Sequence, residues 1–142
     1  MRRILCCVLL ASLGIAAPSA ANDPQETPRY NREIRPILAN ACFQCHGPDP
    51  GGRKAKLRFD REEGFFGARE GGPTVVKNDP AKSPLYQRII TKDPDDLMPP
   101  PKSHKVLKPE EKEKIRKWIA QGAPWEPHWA FIKPDRSAPP AV

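Results

Sequence analysis

The stretch ACFQCHGPDP, residues 41–50, holds the reading that decides the fold. Cys42 and Cys45 stand three apart, and His46 follows at once. Residues three and four apart share one side of a helix, so both thiols and the imidazole can face the same way. What the cluster serves depends on the rest of the chain.

The 142 residues amount to one domain. Residues 1–21 read as an export signal: Arg2 and Arg3, an apolar run from Ile4 to Ala17, then Ser19-Ala20-Ala21 before Asn22. That run is shorter than the roughly 20 residues a membrane-crossing helix needs, so the membrane is reached only if the signal is retained uncleaved. Cys6 and Cys7 lie inside it and leave with it. Cleavage lowers the formal net charge from +7 to +5, because Arg2 and Arg3 are lost. Cys42 and Cys45 then become the only cysteines, and Met98 the only methionine. Outside the cytoplasm two such thiols could pair. A loop of two intervening residues, however, would constrain the unfolded chain very little.

Nineteen prolines argue against long helices and central strands, and no segment alternates with period two. The expected architecture is all-α: short helices joined by long proline-rich loops, with an apolar cofactor adding to the core. Residues 22–29 read as a polar lead-in. Tyr30, Ile34, Ile37, Leu38 and Ala41 share one helical face. Pro36 inside that run predicts either a kink or the first turn of a shorter helix. Residues 47–60 read as loop, with Leu57 and Phe59 as buried anchors. A short helix is expected over 62–68, stopped by Gly71-Gly72-Pro73. Ser83 is expected to cap a helix opened by Pro84, with Leu85, Tyr86 and Ile89 facing inward and an end near Thr91. Residues 93–101, DPDDLMPPP, predict an extended loop. The last helix opens at Pro109, with Glu110 and Glu111 at its positive end, and closes at Gly122. Ile115, Trp118 and Ile119 form its core stripe. Residues 127–142 read as a tail or the start of a linker.

Against this background, CFQCH is the attachment signature of a c-type haem. Two thiols one turn apart suit two vinyl groups, and His46 can reach the iron from the same side. The competing readings fit less well. A thiol redox pair wants a strand–turn–helix setting, whereas here a helix precedes and a loop follows. Zinc wants four ligands. Cys42, Cys45, His46 and His104 supply that number, but adjacent Cys45 and His46 are awkward partners on one tetrahedral ion. The second axial ligand is expected to be Met98, in the stiff loop LMPP, because histidine–methionine pairs are common and raise the reduction potential. His104 and His128 are its competitors.

The motifs REIRPILANACFQCHG, KLRFD, KNDPAKSPLYQRI, DLMPP and LKPEEKEKIRKWIAQGAPW, in that order across residues 30–126, resemble planctomycete-type cytochrome c domains. The resemblance implies a class I cytochrome c fold, in which the helix before the haem motif packs across the C-terminal helix. It also implies one covalent haem c on Cys42 and Cys45, with His46 proximal and Met98 distal. Ile37, Leu38, Leu57, Val76, Leu85, Ile89 and Trp118 are the apolar positions chosen for its pocket. Two features depart from that pattern. Lys108 stands where many relatives carry a capping threonine. HWAFIKP, residues 128–134, resembles the bridge by which relatives run on into larger domains, so a truncated form or fragment of a longer protein is expected.

The function expected is one-electron transfer by a periplasmic or otherwise extracytoplasmic protein that is not itself an enzyme. The alternatives are a catalytic or small-molecule-binding haem with an open sixth site, and a zinc-binding interaction module. Lysines on the last helix and the positive charge favour an acidic redox partner. Nucleic-acid binding is not expected, because the charges are dispersed among prolines and acids and no recognition motif occurs. Oligomeric state and redox pathway are not legible.

Overall fold

Pro36 determines how the first helix is made. Its ring would meet the carbonyl four residues back, and it donates no hydrogen bond. In the computed structural model, which describes residues 27–133, the chain first winds Tyr30–Ile34 as a wider π-turn. The Arg35 N–H donates to the Tyr30 carbonyl, five residues back. Helix α1 then runs Arg35–Ala41 with Pro36 in its first turn. Both sequence alternatives therefore hold in part. Tyr30, Ile34, Ile37 and Leu38 are buried as expected, and Ala41 packs partly against them. The signal segment, residues 22–26 of the lead-in and residues 134–142 lie outside the described residues.

Four more helices follow: α2 (Phe43–His46), α3 (Glu63–Phe66), α4 (Pro84–Ile90) and α5 (Pro109–Ala120). Single 3-10 turns occur at Pro101–Ser103 and Trp129–Phe131. No strand occurs among the described residues, so the all-α expectation stands for them. Helix α5 packs against the π-turn and against α4.

The core is an aromatic cluster built on α5. Trp118 is fully buried, with its ring 5.7 Å from Tyr30 and 5.6 Å from Phe65. Trp125 lies 4.3 Å from Tyr30, and Phe59 stacks on Phe65 at 5.0 Å. The polar ends are satisfied: Tyr30 Oη donates to the Phe59 carbonyl and Trp118 Nε1 to the Pro124 carbonyl. Ile115 and Ile119 complete the stripe.

The end of α5 is a Schellman closure. Gly122 takes φ +92°, its N–H bonds the Ile119 carbonyl, and the Ala123 N–H bonds the Trp118 carbonyl. The start lacks a side-chain cap, because lysine has no acceptor to offer. Instead the Glu111 carboxylate accepts the Lys108 N–H at 2.8 Å, which is half of a capping box.

Three local expectations need correction. Ser83 does begin α4, but its side chain does not cap the helix. The residue is fully buried, and its hydroxyl accepts the Val76 N–H at 2.9 Å, with the Val76 and Asp79 carbonyls as acceptors in reach. A buried hydroxyl serves the nearest unpaired main chain, here a neighbouring loop. The helix expected over 62–68 is only Glu63–Phe66, because Gly67 turns to an extended ψ of 149°. Residues 93–101 are not extended throughout. Asp93 forms a turn, its carbonyl accepting the Leu97 N–H and its side chain the Asp95 N–H. Of the chosen pocket residues, Leu57 and Val76 are half-buried, whereas neighbouring Val75 is buried in the core.

Candidate haem-attachment site

Cys42 closes α1 and opens α2. Its N–H bonds the Leu38 carbonyl, and its own carbonyl accepts the N–H groups of Cys45 and His46 at 3.1 and 2.8 Å. The main chain of the three residues thus forms a single helical turn. Neither thiol is in a disulfide. Burial pushes the Cys42 thiol up to about 12, and the neighbouring Cys45 adds to the effect. Gly47 lets the chain leave the turn, since a Cβ there would stand 2.3 Å from the Phe43 carbonyl oxygen.

The loop that follows is hung from the same turn. The Lys54 N–H bonds the Cys45 carbonyl at 2.7 Å, and the Phe59 N–H bonds the His46 carbonyl at 2.8 Å. The Phe59 ring stands edge-on to the imidazole, 5.5 Å away. Burial lowers the pKa of His46, which favours the neutral ring. The Lys54 main chain opposes that shift, while Arg69 and Arg88 reinforce it. His46 Nδ1 is buried without a hydrogen-bond partner. A neutral imidazole of this kind is a ready metal ligand.

Met98 is half-buried beside buried Pro99, to which it is joined by a cis peptide bond. Its N–H donates to the Arg88 carbonyl at 2.9 Å, which fixes the loop to α4. A cavity of about 190 Å³ lies against it, lined also by Leu97, Pro101 and Leu107. His104 ends the 3-10 turn in a left-handed conformation and is exposed. His128 engages its own turn, with Nδ1 accepting the Ala130 N–H. Among the described residues no three of histidine, cysteine, aspartate and glutamate gather as a metal cluster, so the four-ligand zinc set is not assembled.

Two unpaired thiols on one helical turn, beside an imidazole whose burial favours the neutral ring, are chemically suited to a c-type haem. Comparison with known proteins agrees: residues 42–102 match the family model described as planctomycete cytochrome C. Over that stretch, which is less than half of the chain, the protein is similar to planctomycete cytochrome C. No curated protein and no solved structure matched it.

Sequence reasoning missed that the Lys54 main chain and the charges of Arg69 and Arg88 act on His46. Nothing in the sequence separates these two arginines from the many cations that are simply solvated.

Proposed function

We propose that this protein is an exported electron carrier with a class I cytochrome c fold. In this reading Cys42 and Cys45 hold one covalent haem c, and His46 and Met98 are its axial ligands. The observation that carries it is the position of Arg88. Its carbonyl binds the Met98 N–H, while its charge acts on His46. One residue of α4 thus binds the Met98 main chain and carries a charge felt at His46, 52 positions away in the chain.

A haem iron held there supplies a one-electron couple. The chain supplies the rest. Burial keeps His46 neutral and able to coordinate. The Arg88 carbonyl and the prolines that follow Met98 restrain its main chain. Met98 as a ligand would raise the reduction potential, and with His46 it would hold the haem from the chain alone.

The near-infrared methionine–iron band of the oxidised protein tests the ligation. Met98→Ala should abolish that band and lower the midpoint potential, while the reducible visible spectrum persists. A wild-type protein lacking the band would refute methionine ligation and favour an open or histidine-filled sixth site.

The partner in this reading is an acidic redox protein. Lys108, Lys112 and Lys117 make no ion pair among the described residues, although Lys114 pairs with Glu33 and Arg116 with Glu113. Reduction by such a partner should slow as ionic strength rises past about 0.1 M, where the screening length is about 10 Å. Rates indifferent to salt in stopped-flow measurements would argue that the lysines are merely solvated.

A further inference from the structure

One residue of α4 grips the loop that carries Met98 at two points. Arg88 lies in the last turn of the helix, and the loop leaves that helix at Thr91. The Arg88 carbonyl accepts the Met98 N–H at 2.9 Å. Its guanidinium reaches back over the loop, with Nη1 3.3 Å from the Asp96 carboxylate and 3.4 Å from the Asp96 carbonyl.

Between these points the loop is closed by its own polar groups. Thr91 Oγ1 accepts the Asp93 N–H at 3.1 Å, and the Asp93 carboxylate accepts the Asp95 N–H at 3.0 Å. The Asp93 carbonyl accepts the Leu97 N–H at 2.9 Å. Turns of this kind form from local bonds alone. The loop is therefore a locally closed unit, and Arg88 fastens its far end to α4. Packing contributes less to that fastening. Leu97 and Met98 border the cavity of about 190 Å³, where a close-packed core would have filled the space.

The ion pair acts on the loop rather than on the whole fold. The Arg88 and Asp96 side chains are 48% and 62% exposed. A pair so exposed adds little to global stability. A small bias is enough, however, to change how often a loop stands open.

We propose that the Arg88 guanidinium is a positioning group for the sixth ligand: paired with Asp96, it keeps the loop closed and so keeps Met98 in place for the iron. The proposal rests on the methionine ligation proposed above.

Titration of the oxidised holoprotein with imidazole tests this, read as loss of the near-infrared methionine–iron band. Imidazole competes for the sixth position when the loop is open, so its apparent affinity scales with the open fraction. Arg88→Gln should bind imidazole about threefold more tightly than wild type, the size expected for one exposed pair. Asp96→Asn should do the same. The midpoint potential separates positioning from charge acting through space. Loss of the Arg88 charge favours the oxidised iron and loss of the Asp96 charge the reduced iron, so the potentials should move in opposite directions. Imidazole affinity should rise in both variants. The exchanged pair Arg88→Asp/Asp96→Arg should return it towards the wild-type value. Glu113→Gln, which breaks the comparably exposed pair with Arg116 on α5, should leave it alone. If Arg88→Gln attaches no haem, Asp96→Asn carries the same test with Arg88 intact. Single variants that bind imidazole as wild type does would overturn the proposal while leaving methionine ligation standing. So would tighter binding in one variant matched by weaker binding in the other. A wild type without the near-infrared band would instead remove the ligation reading, and this proposal with it.

Discussion

Cys42→Ser/Cys45→Ser should yield a protein without covalent haem, seen as loss of the haem increment in intact mass and of the reducible visible bands. The effect is all-or-none because, in the proposed reading, each sulfur would make its own bond to the porphyrin, and no other cysteine lies among the described residues. Serine keeps the size of the side chain, so the Cys42 carbonyl can still accept the N–H groups of residue 45 and His46. Cys45→Ser alone should retain one thioether and a shifted spectrum. A double variant that still carries haem mass after denaturation would defeat the assignment of these two residues.

Trp118→Ala should remove about 3–5 kcal/mol of stability. Whole domains are stable by only about 5–15 kcal/mol, so this is a large part of the total. The indole is fully buried between Tyr30 and Phe65, and its truncation leaves a hole where the π-turn, α3 and α5 meet. It also strands the Pro124 carbonyl, which accepts the indole N–H at 2.9 Å. Trp118→Phe should therefore cost less than alanine but more than lost volume alone, since an orphaned buried acceptor adds about 1–3 kcal/mol. Urea unfolding midpoints of the two variants measure the difference. Equal midpoints for wild type and Trp118→Ala would contradict the packing described here.

Much of this was legible in the sequence because it follows from local rules. The Ile115–Trp118–Ile119 stripe, the proline start and the glycine stop of α5 are all set by neighbours within a few residues. The same holds for the one-turn geometry of Cys42, Cys45 and His46. The misread positions are those where tertiary contacts outbid a local preference. Ser83 has the residue type and place of a cap, yet a buried loop claimed its hydroxyl. Phe65 and Phe66 sit in a short segment with little periodicity, and only the distant Tyr30 and Trp118 reveal Phe65 as core. The candidate site divides the same way: CFQCH stands out in the sequence, whereas the charges of Arg88 and Arg69 come to act on His46 only through the fold.

The meeting of Tyr30 with Trp118 and Trp125 also bears on the order of assembly. The turn that carries Cys42 and Cys45 is synthesised before α5, the helix whose Trp118 packs on Tyr30. In the proposed reading of an exported haem protein, the two thiols would emerge on a chain whose tertiary shell is still open, and porphyrin could be joined to them before α5 closes it.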